Sequence, residues 1–201
     1  NRRDFFRLAS MAGAGVSAAG LSGLVSAATP AQLGTVPTNT GISGRVVVIG
    51  GGMAGLSAAL VAQRAGLQVT LLEQAEAFSE VGAGIQLGPN AVRVLHDWGL
   101  LPALREVAAF PERLAVRDAR SGAQLGGLTL GAAMQQRYGQ PYATIHRADL
   151  HQILLRQLQG SSQVDCRLRQ RLQAFEQDAD GVRLQTEDGS RYQAGALLGC
   201  D

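Results

Sequence analysis

The stretch Arg45-Val46-Val47-Val48-Ile49-Gly50-Gly51-Gly52-Met53-Ala54-Gly55-Leu56-Ser57-Ala58-Ala59-Leu60 predicts a buried strand, a glycine turn and a helix. Gly50 allows a sharp turn off the strand, Gly52 removes the side chain that would hold a pyrophosphate away from the backbone, and Gly55 allows helix and strand to pack closely. The free N–H groups and positive dipole end of the helix then favour an anion at its N-terminus. The stretch reads as a dinucleotide cradle.

In a chain with 26 glycines the spacing Gly-x-Gly-x-x-Gly is a weak signal alone, and its flanks strengthen it. Val46–Ile49 is an apolar, β-branched run, Leu56–Ala65 is apolar almost all round, Gly66 can end the helix, and Gln68–Leu72 predicts a second strand. That strand leads to Glu73, close to the ~20-residue spacing at which an acidic residue meets ribose hydroxyls in such βαβ units. A solvated carboxylate at a strand end is the competing reading of Glu73.

Outward from this unit, 201 residues with 46% hydrophobic content can bury a sizeable core. The formal charge of +2 is accounted for by Arg2, Arg3 and Arg7 against Asp4, so the remainder is balanced and shows no clustered basic surface for nucleic acid. Cys166 and Cys200 are too far apart for a close-spaced metal or redox pair. His96, His146 and His151 lack ligand spacing, so no metal is assigned. Asn1-Arg2-Arg3-Asp4-Phe5-Phe6-Arg7-Leu8 and the uncharged Ala/Gly/Ser-rich stretch after it resemble a twin-arginine export leader, residues 1–28, with small residues for cleavage at Ser26-Ala27-Ala28. The expected partner is the twin-arginine export machinery and the expected location periplasmic or otherwise exported, with the cytoplasm as the alternative. The many Gly and Ser argue against a stable membrane anchor. Residues 29–44, with Pro30 and Pro37, read as a linker, and the closing apolar run Leu197-Leu198-Gly199-Cys200-Asp201 suggests a chain truncated at its C-terminus.

Past Glu73-Gln74, Val81–Asn90 forms a second glycine-rich segment whose plain reading is a loop. Pro89 then suits a helix start, Ala91, Val94, Leu95 and Trp98 share a helical face, and Gly99 can close the helix with Pro102 just beyond. Arg113–Val116 and Gln124–Leu130 predict strands joined by the turn-rich Asp118–Gly122. Tyr142–Arg147 leads into a helix with Asp149 in its first turn and Leu150, Ile153, Leu154 and Leu158 on one face. Arg147 at that helix mouth is equally a solvated side chain or a phosphate contact. Gln163–Arg167 predicts a parallel strand, and Arg171–Gln177, Gly181–Thr186 and Arg191–Ala194 a meander with turns at Asp178–Gly181 and Glu187–Gly189. Ala196–Gly199 is a last buried strand that sets Asp201 at the carboxyl edge of the sheet.

Taken together, Gly50–Gly55, Glu73-Gln74, Val81–Asn90, Ile145-His146-Arg147-Ala148-Asp149-Leu150 and Gly199-Cys200-Asp201 resemble the FAD-dependent aromatic hydroxylases, nearest the salicylate and 6-hydroxynicotinate monooxygenases. The resemblance covers 45–201. It implies an α/β, Rossmann-like FAD-binding domain with inserted substrate-domain β-strands, residues 108–145 contributing to that substrate-binding sheet. It also implies that Gly50, Gly52 and Gly55 hold the pyrophosphate and Glu73 the adenosine ribose, with Gln74 beside it among the cofactor-binding residues. Gln86 would lie next to the flavin, Arg147 at the phosphates or ribityl chain, and the backbone of Leu172 near the adenine. Asp201 matches the aspartate of the family's Asp-Gly pair. The hydroxynicotinate enzymes carry His at the position of Gln86, which counts against that particular ring.

The implied chemistry is reduction of FAD by NADH or NADPH, reaction of the reduced flavin with O2, and transfer of one oxygen atom to a small aromatic substrate. The residues name no catalytic base. Two other readings stay open on the same fold: an exported FAD-dependent oxidase or dehydrogenase, which the leader favours because NAD(P)H is scarce outside the cytoplasm, and a non-catalytic nucleotide-binding module.

Overall fold

A computed structural model describes residues 44–79 and 82–200, within a compact unit running Asn39–Asp201. The expected leader, most of the expected linker and Asp201 lie outside the described residues.

The first strand, β1 (Arg45–Ile49), is apolar at every position after Arg45 because both of its faces are covered. Val46 and Val48 point into a core shared with the helices, and Val47 and Ile49 into a second core under a separate antiparallel sheet. The turn Gly50–Gly52 leads into α1 (Met53–Arg64), whose Leu56, Ala59 and Leu60 are fully buried. Gly66, at φ +82°, ends the helix, with the Leu67 amide reaching back to the Ala62 carbonyl at 3.1 Å, the αL stop expected of glycine there. β2 (Gln68–Leu72) then lies parallel to β1, residue for residue from Arg45↔Gln68 to Ile49↔Leu72.

The chain next leaves the parallel sheet for a long excursion. It runs through β3 (Gly84–Leu87), α2 (Pro89–Asp97), α3 (Leu101–Val107), the hairpin β4 (Arg113–Arg117) and β5 (Gln124–Thr129), α4 (Gly131–Tyr138) and β6 (Ala143–His146). It returns along α5 (Arg147–Gln159) to β7 (Val164–Arg167), which pairs parallel with β2. β8 (Leu172–Asp178), β9 (Gly181–Thr186) and β10 (Arg191–Ala194) form the antiparallel meander, and β11 (Ala196–Gly199) pairs parallel with β1. Among the described residues the parallel sheet therefore has the order β11-β1-β2-β7. One face carries α1 and α5, the other the meander, through Val182, Leu184 and Ala194. This is an α/β, Rossmann-like fold.

Several local expectations change. Gly84–Leu87, read as loop, is a strand, because β6 supplies it with an antiparallel partner from Gly84↔His146 to Leu87↔Ala143. The buried face of α2 is set by Val92 and Leu95, while Val94, expected inside, is 43% exposed. The end of α2 is as expected, with Trp98 as C-cap and Gly99 at φ +79°, and Pro102 just beyond sits in the first turn of α3, where its missing N–H costs nothing. The hairpin β4–β5 pairs as expected and stands as a separate two-stranded sheet, leaving Leu114, Val116, Leu125 and Leu128 about half exposed or more.

The meander is tied to the end of β7 by a polar cluster. Asp188 accepts from the Thr186 hydroxyl at 2.7 Å, from the Ser190 amide at 3.0 Å and from the Gln170 carboxamide at 2.7 Å, and the Tyr192 hydroxyl donates to Gln170 Oε1 at 2.6 Å. These donors, the Thr186 hydroxyl foremost, hold the Asp188 carboxyl well below the usual carboxylate range. A depressed folded-state value means that the stabilisation is complete above the unfolded value, ~3.9, and is lost as pH falls below it. Asp188→Ala should therefore lower the apparent Tm at pH 7, and its gap from wild type should narrow as the pH is taken from 5 to 2 in calorimetric scans.

Candidate cofactor site

The site forms where β1 and β2 end side by side. The amide of Gly50 donates to the Leu72 carbonyl at 2.8 Å, so the glycine turn begins level with the end of β2. Gly50 takes φ +100°, a conformation that a side chain would oppose. Gly55 faces back onto that turn, and a Cβ placed there would collide with the Gly50 carbonyl oxygen. Gly52 is the N-cap of α1 with extended backbone and no side-chain cap, and the first turn of the helix carries no acidic residue. The N–H groups of that turn are thus left for an external anion.

Glu73, at the end of β2, reaches across the turn. Its Oε2 accepts from the Gly51 amide at 2.5 Å and its Oε1 from the Ala75 amide at 2.7 Å. A carboxylate offers about four lone-pair positions, so each oxygen retains one for a ligand hydroxyl. Glu73 thereby fixes the turn and keeps acceptors beside it, as an adenosine ribose requires. Gln74, next in the chain, is exposed. The amide of Gln170 donates to the Glu73 carbonyl at 2.9 Å and that of Arg169 to the Ala75 carbonyl at 3.0 Å, so the segment entering β8 is joined to the one leaving β2. Leu172, the first residue of β8, follows this junction and is half-buried under the second core.

Gln86 and Arg147 lie together on the excursion. Gln86 is an exposed residue of β3 opposite Thr144, and Arg147 opens α5 directly after β6, its amide on the Ala83 carbonyl at 3.3 Å. The stem of Arg147 runs against Gly82, where a Cβ would lie 2.9 Å from the Arg147 Cβ. The glycine-rich Val81–Asn90 segment thus has a packing reason: Gly82 lets the chain cross Arg147.

Two residues escaped the sequence reading. Gly51, counted only as the variable position of the motif, has no room for a side chain: a Cβ would lie 2.6 Å from Phe78 Cε1 and 2.8 Å from Glu73 Oε2. His151, set aside for lack of metal spacing, is 1% exposed and places Nε2 2.7 Å from the Gly51 carbonyl oxygen. Its spacing to Leu154, Leu155 and Leu158, i+3, i+4 and i+7, marked it as a buried-face residue of α5. No group of three or more His, Cys, Asp and Glu that could hold a metal occurs among the described residues.

Residues 44–201 match the FAD binding domain family. The chain belongs to the FAD-dependent aromatic hydroxylases. It is 44% identical over 157 residues to the 3-amino-4-hydroxybenzoate 2-monooxygenase PtnB3 of Streptomyces platensis, covering 78% of this chain and 39% of the relative. It is 38% identical over 157 residues to the 6-hydroxynicotinate 3-monooxygenase of Bordetella bronchiseptica, covering 78% and 40%. Among solved structures, Klebsiella pneumoniae HpxO complexed with FAD and uric acid superposes with a TM-score of 0.65 at 31% identity, covering 76% of this chain and 38% of that one. The chain spans about two fifths of the length of these three proteins.

The cofactor of the family is FAD, and the residues present fit it: an uncapped helix N-terminus, a turn cleared of side chains, and a carboxylate with spare acceptors. Losing a hydrogen bond to a charged group costs ~1.5–3 kcal/mol, or roughly ten- to a hundredfold in affinity. Glu73→Ala and Arg147→Ala should each weaken FAD binding to the full-length apoprotein by about that factor, read by quenching of flavin fluorescence on titration.

Proposed function

We propose that the full-length protein hydroxylates a small aromatic ring, using FAD, NADH or NADPH, and O2. The observation that carries this reading is the 44% identity to a hydroxybenzoate-class monooxygenase across the stretch that builds the cradle. Bound FAD would supply the electron transfer and the oxygen chemistry. In the proposal this chain holds the dinucleotide: the first turn of α1 faces the pyrophosphate, Glu73 takes the ribose hydroxyls, and Arg147 offers a cation to the phosphates or ribityl chain. Gln86, on the same small sheet as the entry to α5, lies beside the flavin, the backbone of Leu172 lies near the adenine, and Asp201 is counted among the cofactor-binding residues through its match to the family's Asp-Gly pair. Residues 108–145, including the half-exposed hairpin β4–β5, contribute to the substrate-binding sheet.

Purified full-length protein, given NADH or NADPH and a panel of hydroxy- and aminobenzoates and hydroxypyridine carboxylates, should consume nicotinamide and form hydroxylated product in near-equal amounts with at least one of them. Hydrogen peroxide without hydroxylation would favour the oxidase or dehydrogenase reading, and FAD binding without turnover the non-catalytic one.

The Arg2-Arg3-Asp4-Phe5-Phe6 start supports export of the folded flavoprotein by the twin-arginine machinery, and no helix among the described residues is long and apolar enough to cross a membrane. Replacing Arg2 and Arg3 by Lys should retain the flavoprotein in the cytoplasm. Wild type found only in the cytoplasm with an uncleaved leader would overturn export.

A further inference from the structure

We infer that His151 is a positioning residue for the pyrophosphate cradle, acting through the Gly51–Gly52 peptide. It lies in α5, 100 residues from the turn it touches, and is sealed from solvent between α5 and the glycine turn. Its Nε2 is 2.7 Å from the Gly51 carbonyl oxygen. A carbonyl can only accept, so Nε2 carries the hydrogen and donates it. Nδ1 is equally buried and has no hydrogen-bond partner among the described residues. A buried imidazole satisfied at one nitrogen alone is an expensive way to fill a core, and Leu154 and Leu158 beside it show that the same face accepts leucine. The contact with Gly51 is what the histidine supplies that an apolar side chain cannot.

The consequence for the cofactor follows from peptide geometry. The Gly51 carbonyl and the Gly52 amide belong to one planar trans unit and point in opposite directions. Gly51 and Gly52 lack the side chains that would otherwise restrict this plane, so a turn built from glycines needs an outside contact to choose its orientation. His151 draws the Gly51 carbonyl inward toward α5, which turns the Gly52 N–H outward, on the side where the pyrophosphate approaches. Glu73 fixes the preceding plane by accepting from the Gly51 amide at 2.5 Å. Two side chains from distant segments thus set two successive peptide planes before the ligand arrives, and the ordering cost that binding would otherwise carry is met on folding.

This rests on the assignment of the turn as the FAD cradle, and the test separates the two. Full-length apoprotein of wild type, His151→Phe, His151→Gln and His151→Asn would be titrated with FAD, with circular dichroism confirming the fold of each. The Gln carboxamide nitrogen can reach the place of Nε2, whereas that of Asn reaches only the place of Nδ1. His151→Phe and His151→Asn should bind FAD about tenfold more weakly, and His151→Gln within about twofold of wild type. A merely structural histidine would instead give affinities that follow side-chain bulk, with Phe, which is bulky but has no donor, binding better than Gln. If the Phe variant does not fold, His151→Met takes its place: it matches Gln in bulk without a donor, and should bind FAD about tenfold more weakly than His151→Gln. Equal affinities for Gln and Asn, or a folded His151→Phe that binds as wild type, would overturn the role of His151. Wild type that takes up no FAD would overturn the cradle beneath it.

Discussion

The contact between Gly55 and the Gly50 carbonyl is the constraint on which the rest of the structure depends. It brings α1 so close to the end of β1 that no side chain fits at Gly55, and the helix N-terminus opens directly off the glycine turn, with Gly52 as its N-cap. A substituent at Gly55 would move the helix axis, and with it the buried Leu56, Ala59 and Leu60 that join the sheet to α5. Packing and ligand geometry are therefore one problem here. The same approach that buries the core also leaves the first-turn amides of α1 without a side-chain cap, an arrangement that favours an anion.

Around that contact the structure arranges supports drawn from far along the chain. Glu73 comes from β2, His151 from α5 and the Arg169–Gln170 backbone from the passage into β8. Each meets the turn or its immediate neighbour through a hydrogen bond rather than through apolar contact. The division of labour is physically reasonable: burial of leucines and valines is non-directional and holds elements together, whereas directed bonds fix the orientation of a peptide plane.

The reading of the sequence succeeded where a local rule decides the outcome. Val46–Ile49 could only be a strand buried on both faces, Gly50 and Gly55 sat at a strand–helix junction, and the turns Asp178–Gly181 and Glu187–Gly189 framed the meander. It failed where a distant partner decides. Gly84–Leu87 has loop-like glycines and becomes a strand only because β6 pairs with it, and Val94 is turned outward because Val92 and Leu95 find the core instead. The site shows the same split. The spacing from Gly55 singles out Glu73, which bonds the Gly51 amide, but not Gly51 or His151, since neither the crowding by Phe78 nor a bond spanning 100 residues leaves a mark on local pattern.

The place of β1 in the sheet has a consequence for how the chain assembles. It is flanked by β2, which follows it directly, and by β11, which comes some 150 residues later, so the two sides of one strand close on very different loop lengths. The β1–α1–β2 unit can form as soon as it is made, because its contacts are local. Its outer edge stays open until Ala196–Gly199 has been synthesised, and during that interval a valine-rich strand presents unpaired backbone groups to any other chain. A ribosome moving at about 5–20 residues per second needs roughly eight to thirty seconds to cover the gap. The folded domain holds this valine-rich strand inside the sheet, between β11 and β2, but the nascent one carries it at an edge.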